Sequence, residues 1–209
     1  MGIQAESVEH DTRDVGTASS RTGERPESEV IRYVTGESSL GVVLVARSDR
    51  GICAILIAGD REALLRDLCG RFPAATLEAD DVRLDVLARR VIDFIESPGL
   101  QLDLALDLRG TEFQLTVWEA LREIPPGSTV TYTEIAARIG RPASVRAVAG
   151  ACAANPVAVL VPCHRVVRSD GGISGYRWGV ERKRSLLETE AKRGLVQAVD
   201  FGPARSASR

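Results

Sequence analysis

Residues 155–164, Asn-Pro-Val-Ala-Val-Leu-Val-Pro-Cys-His, constrain the fold of this chain more than any other stretch. Proline disfavours helix for the residue before it, so Asn155-Pro156 ends any helix arriving from upstream. The apolar run 157–161 then reads as a short buried strand, and Pro162 stops it. Cys163 and His164 therefore sit where a buried strand leaves the core. Adjacent side chains on an extended chain point apart, so contact between these two requires a turn or a bridging water.

The upstream segment is patterned as paired helices. Thr131 and Glu134 have capping-box spacing and open a helix TYTEIAARI, which Gly140 stops as a left-handed cap. Arg141-Pro142 turns the chain, and residues 143–154 form the next helix. Helix, short glycine turn, helix is the helix-turn-helix pattern. On its second helix Val145, Val148 and Cys152 share the core face, which makes Cys152 structural. Arg146 and Gly150 share another face, set among alanines. A major-groove reader carries several long polar side chains, whereas this face carries one. It suits close approach and intrusion, as in minor-groove wedge proteins. Small residues equally suit the packing of two helices, and on the pattern alone both readings stand.

Further upstream, Thr111 and Gln114 repeat the capping-box spacing before a helix with Phe113, Val117, Trp118, Leu121 and Ile124 on its buried stripe. Pro125-Pro126-Gly127 ends it. The runs 40–47 (LGVVLVAR) and 51–59 (GICAILIAG), split by Ser-Asp-Arg, predict a β-hairpin. Residues 61–72 and 84–95 have helical periodicity, and Leu102, Leu104, Leu106 and Leu108 alternate as a half-buried strand would. Cys53 and Cys69 lie in apolar contexts and read as core residues. The expected architecture is a small α/β domain at 30–109, with a mainly antiparallel sheet, followed by a mainly α domain at 110–194 carrying the helix-turn-helix. Residues 1–29 are polar and predicted disordered, and 195–209 a flexible tail.

Composition narrows the function. The net charge of the 209 residues is −2, yet residues 141–193 hold ten Lys/Arg against four Asp/Glu, while residues 1–29 hold seven acidic against three basic. An acidic head hides a basic body from the overall count. The four cysteines form no C-x-x-C pair and there are two histidines, so no metal site is expected. No signal-like or membrane-length apolar run is present, and reduced thiols suit a cytoplasmic protein. His164 is the only histidine of the expected ordered region. A nearby base lowers a thiol's pKa and makes the nucleophilic thiolate, so Cys163 is the candidate nucleophile.

The segment 131–190, with PCHRVV at 162–167, GGISGYRWG at 171–179, Asn155, Arg146 and Glu190, closely resembles the O6-alkylguanine-DNA alkyltransferases, or methylated-DNA–protein-cysteine methyltransferases. It is most similar to bacterial members, including the C-terminal half of the adaptive-response regulator, and the likeness extends more weakly to about residue 30. The resemblance implies that Cys163 accepts an alkyl group from O6-alkylguanine, and from O4-alkylthymine, in DNA. It implies that His164, oriented by Glu190, withdraws the thiol proton through water, and that Asn155 ties the helix end to the active turn. Arg146 would fill the hole left by a flipped base, with Ser144 and Gly150 on the same DNA-facing surface, and Tyr132 would promote rotation of the nucleotide. Tyr176 would form the aromatic wall of the base pocket. Backbone groups of Cys163, Val166 and Arg177 would read the guanine edge, and Trp178 would stand at the pocket rim.

The implied partner is alkylated double-stranded DNA, approached from the minor groove by a monomer, with no cofactor. An S-alkylcysteine cannot be discharged by anything in the chain, so the reaction would run once per molecule. Trp178, where vertebrate members have a small residue, and Ala158, where some members have proline, bear on acceptance of bulky adducts. The zinc ligands of some relatives and the regulatory domains of the adaptive-response protein are missing, so transcriptional activation is not expected. Two rivals remain in view. A module that binds alkylated DNA without repair would lack the acceptor cysteine, and a cysteine hydrolase would bring its histidine from far away in sequence.

Overall fold

The computed structural model describes residues 28–79, 82–98, 102–173 and 175–192. The expected polar extension, apart from residues 28 and 29, and the tail beyond residue 192 lie outside the described residues. The amino-terminal part is a four-stranded sheet with two helices: β1 (Val30–Ser38), β2 (Gly41–Ser48), β3 (Gly51–Ala58), α1 (Arg61–Arg71), β4 (Thr76–Ala79) and α2 (Val82–Glu96). The strand order is β3-β2-β1-β4. β1–β2 and β2–β3 are antiparallel, and β4 joins β1 in parallel. The sheet is therefore mixed, and two of its strands, β1 and β4, went unread in the sequence. β4 has one partly buried residue in four, too little apolar content to give a periodic signal.

The hairpin between β2 and β3 falls where Ser-Asp-Arg placed it. Gly51 has φ +147, and a Cβ there would come within 2.5 Å of the Ala105 carbonyl oxygen, so only glycine fits. The expected strand at 102–108 does not form. Ile52 donates to the Ala105 carbonyl at 2.9 Å and accepts from the Asp107 N–H at 2.8 Å, and pairing stops at that single bridge. Asp107 turns inward instead, accepting from Ser48 Oγ at 2.7 Å and from Arg109 Nε at 2.9 Å, with Arg50 at 2.7 Å. Arg109 also grips Glu29. The two leucines flanking the bridge, Leu104 and Leu108, still pack on the core, which explains the alternation.

The carboxy-terminal part is α3 (Glu112–Arg122), β5 (Val130–Thr131), α4 (Tyr132–Arg138), a 3-10 turn (Pro142–Ser144), α5 (Val145–Ala154), a second 3-10 turn (Cys163–Arg165), β6 (Val166–Val167) and α6 (Val180–Lys192). Both expected capping boxes are formed, Thr111 with Gln114 and Thr131 with Glu134. Gly140 follows α4 with φ +70.

The sheet is buried on both faces. Ile31, Leu44, Cys53, Leu56, Leu64 and Leu68 pack between one face and α1. On the other, Val43, Val45, Ile55 and Ile57 meet Leu84, Val91 and Ile95 of α2, and the same cluster continues into Trp118, Leu121, Val148, Val161 and Cys163. One apolar core thus runs from the sheet to the reactive turn. Cys69 is exposed, contrary to its apolar sequence context, because it lies on the outer side of α1 from Leu64 and Leu68.

Candidate active site

The turn carrying Cys163 is built on α5 and on the edge of the sheet. Ile55 donates to the Pro156 carbonyl at 3.0 Å and accepts from the Ala158 N–H at 2.9 Å, which pins the chain to β3. The expected strand at 157–161 is replaced by a tight fold. Leu160 N donates to Ala158 O at 2.7 Å, Val161 N to Val157 O at 3.2 Å and Cys163 N to Val161 O at 2.8 Å. Val159, fully enclosed, has φ +61, a costly conformation for a β-branched residue. The sheet edge offers one bridging position here, and two prolines bracket the segment, so the run folds back rather than extending.

Folding back brings Asn155 against Cys163. Asn155 Nδ2 donates to the Val161 carbonyl at 2.7 Å and lies 3.2 Å from Cys163 Sγ, while its Oδ1 accepts from Val157 N at 2.9 Å. All polar atoms of this buried amide are used, and one donor is aimed at sulfur. Cys163 and His164 open the 3-10 turn, both buried. His164 Nε2 lies 3.0 Å from Glu190 Oε1. Facing a carboxylate, Nε2 carries the proton and Nδ1 is left as the lone-pair nitrogen.

Sequence reasoning missed two cations. Arg165 is buried, donates to Glu190 through Nη2 at 2.8 Å and Nε at 3.1 Å, and reaches the Ile124 carbonyl through Nη1 at 2.5 Å. The Gly127 N–H adds a fourth contact to Glu190, at 3.0 Å. Lys183 is fully buried and donates to the Val166 carbonyl at 2.5 Å. Charged residues in RVVRS and ERKRS read as solvated, and only the apolar flanks of Arg165 signalled otherwise.

Burial pushes the Cys163 thiol up to about 11, against the Asn155 hydrogen bond and the charge of Lys183, which pull it down. Burial also lowers His164 below its ordinary range, with Glu190 opposing. Burial alone would raise Glu190, but its bonds to His164 and Arg165 together outweigh this and hold it at about 2. At neutral pH the resting site is thiol, neutral imidazole and carboxylate.

Above Cys163 opens a cleft of about 920 Å³. Tyr132, Arg146, Tyr176 and Arg177 line it together with Cys163 and Cys152. Ser144 and Gly150 flank Arg146 on α5 and its preceding turn but do not line the cleft. Trp178 is not at the rim. It is buried, with its ring edge-on to Tyr176 at a centroid distance of 5.1 Å. Val166 lies outside the cleft lining, and its carbonyl already serves Lys183, as that of Cys163 serves the Val166 N–H. Each carbonyl keeps a second lone pair. The Arg177 side chain leaves the cleft for Asp67 of α1, at 2.9 Å.

The family model for the DNA-binding domain of 6-O-methylguanine DNA methyltransferase matches residues 112–192. The bifunctional transcriptional activator/DNA repair enzyme Ada of Escherichia coli is 51% identical over 166 residues, covering 79% of this chain and 47% of that protein. The inducible methylated-DNA–protein-cysteine methyltransferase of Bacillus subtilis is 44% identical over 122 residues, 58% of this chain and 68% of that one. The chain thus spans about half the length of Ada and about two thirds of the Bacillus protein. Among solved structures, the O6-methylguanine methyltransferase of Mycobacterium tuberculosis superposes with a TM-score of 0.65 at 33% identity, covering 81% of this chain and 96% of that one. The mycobacterial protein in complex with DNA gives 0.64 at 32% identity, covering 78% and 94%.

Proposed function

Because the chain belongs to the 6-O-methylguanine DNA methyltransferase family, we propose that it repairs alkylated DNA by taking the alkyl group onto Cys163. The observation that carries this reading is the buried Cys163 at the cleft, with Asn155 Nδ2 3.2 Å from its sulfur and the His164–Glu190 pair at the next residue. The substrate is O6-alkylguanine, and also O4-alkylthymine, in double-stranded DNA.

An O6-alkyl group is hidden inside the duplex, so the base must leave the stack, at a cost of a few kcal/mol. Arg146, exposed on α5 and at the cleft, offsets part of that cost by entering the stack from the minor groove. The α4–turn–α5 unit is the helix-turn-helix that presents it, and the two halves, 30–109 and 110–194, act as scaffold and reactive domain of a monomer. The work is cytoplasmic, where thiols stay reduced, in keeping with four free cysteines.

A thiol held near 11 is a poor nucleophile at pH 7, so the proton must be withdrawn as the base docks. His164 Nδ1 receives it through a water, and ionised Glu190 stabilises the imidazolium. The thiolate attacks the alkyl carbon, the alkyl C–O6 bond breaks with its electron pair left on guanine, the guanine anion takes a ring proton from water, and His164 returns the thiol's proton to solvent. The product is an S-alkylcysteine that the protein cannot discharge, so turnover is single.

Intact-protein mass spectrometry after mixing with a methylated-guanine duplex tests this. One methyl per molecule, mapped to Cys163, is expected. An unmodified Cys163, or turnover well beyond one equivalent, would sink the assignment. Cys163→Ala should abolish transfer and leave DNA affinity close to wild type.

A further inference from the structure

Three buried polar atoms around Cys163 have no hydrogen-bond partner among the described residues: Trp178 Nε1, which can only donate, and the pair His164 Nδ1 and the Tyr176 hydroxyl. The pair belongs to neighbouring rings, with centroids 6.4 Å apart and planes inclined at 77°. A buried polar atom left unpaired is costly, and an acceptor and a donor on neighbouring rings point to a shared polar ligand. Tyr176 lines the same cleft as Cys163, the chain neighbour of His164.

The ring of Tyr176 alone accounts for an aromatic wall, and phenylalanine would serve that purpose equally. The hydroxyl is therefore unexplained. Its phenol stays protonated, since burial and the negative charges that Cys163 and Glu190 can carry raise it well above its ordinary range. At neutral pH it is therefore a donor. His164 Nδ1, by contrast, is an acceptor, because Nε2 faces Glu190.

We infer that the Tyr176 hydroxyl donates to the water that links the Cys163 thiol to His164 Nδ1, and so is a positioning residue for proton removal. The inference rests on the alkyl-transfer reading of this site. In the resting state the water accepts from the thiol and from Tyr176 and donates to Nδ1. As the proton passes from sulfur to the water and another from the water to Nδ1, the water becomes a donor to the thiolate and an acceptor from Nδ1–H and Tyr176. No atom is gained or lost. A donor on the water's oxygen strengthens the bond its hydrogen makes to the thiolate, since hydrogen bonds in a chain polarise one another. The hydroxyl thus favours the thiolate–imidazolium state over the resting one.

Other charged and titratable groups face this water and would remain in place without the hydroxyl. They are Glu190, Lys183 and Arg182 from α6, Arg165 from the turn and Cys152 from α5. Comparison of wild type with Tyr176→Phe isolates the hydroxyl, because ring, packing and these charges are shared.

The test is single-turnover methyl transfer from a methylated-guanine duplex, followed from neutral to alkaline pH, with DNA affinity measured in parallel. Tyr176→Phe is expected to be about tenfold slower at pH 7, with the rise of its rate displaced upward by about one pH unit and converging on wild type in alkali. Affinity should be unchanged. A wild-type profile, or a loss equal at every pH, would overturn the inference, the latter because a hydroxyl that acts on proton removal must shift the pH dependence. A high-resolution crystal structure of the wild type decides independently of the variant. One water within hydrogen-bond distance of both His164 Nδ1 and the Tyr176 hydroxyl is required, and its absence there overturns the proposal. Failure of the wild type to take up methyl at all would instead remove the alkyl-transfer reading itself.

Discussion

At the scale of single residues, the site depends on one carboxylate that serves three partners. Glu190 holds His164, Arg165 and the Gly127 N–H. Glu190→Gln would leave Arg165 buried without its counter-charge, and such losses cost about 3–5 kcal/mol. Urea denaturation should show it, with the transfer rate falling as well. The charge also sets an acid limb. In the folded protein Glu190 titrates at about 2 against an ordinary 4.5, so its ionisation favours folding above about 4.5. That gain is lost as pH falls from about 4.5 towards 2. His164, lowered by burial, works in the same direction below its ordinary 6.5. Thermal melts of wild type and Glu190→Gln from pH 7 to 3 should converge as the medium becomes acid. Parallel curves would mean that Glu190 is not the group responsible. Cys163 and His164 stood out in the sequence because a proline-framed apolar run marks where a chain must turn, whereas the roles of Asn155 and Glu190 came only from the resemblance to the alkyltransferases. Burial of Arg165 and Lys183 was not legible, since the apolar flank of Arg165 is a weak local signal and Lys183, set among charged residues, has none.

At the scale of elements, helix ends were read better than strands. The caps at Thr111, Thr131 and Gly140 rest on local backbone chemistry, which the sequence carries in full. The strands expected at 102–108 and 157–161 depend on a partner edge, and β3 offers each a single bridge. Apolar periodicity reports burial without reporting pairing. Thr131 caps α4 and thereby fixes Tyr132, the first residue of that helix, at the cleft. Thr131→Ala should cost about 1 kcal/mol in urea denaturation, with the denaturant slope unchanged, and should slow transfer from DNA. Arg146 is the long polar side chain that α5 brings to the cleft. Arg146→Ala should slow repair of duplex DNA far more than transfer from a free modified nucleobase, which needs no flipping. A phosphate contact would instead weaken all DNA binding and reduce its salt dependence by about one unit of slope.

At the scale of the whole molecule, the sheet and the reactive turn share one core. Unfolding should therefore be a single transition, coincident by fluorescence of Trp118 and Trp178, which report the carboxy-terminal part, and by hydrogen exchange of β2 and β3. Separate transitions would show that the shared core is not cooperative. Ile55→Ala, remote in sequence from Cys163, should cost about 2–5 kcal/mol. It should also lower the transfer rate, because the cavity left behind lets β3 shift, and the β3 backbone at this position holds Pro156 and Ala158. That pairing has a second face. β3 is an outermost strand, its sequence GICAILIA is apolar throughout, and its open side is met by Leu106 and by Val157. An uncovered edge of that kind recruits other chains. The turn that carries the nucleophile is thus also a guard against aggregation, and whatever loosens it endangers solubility along with repair.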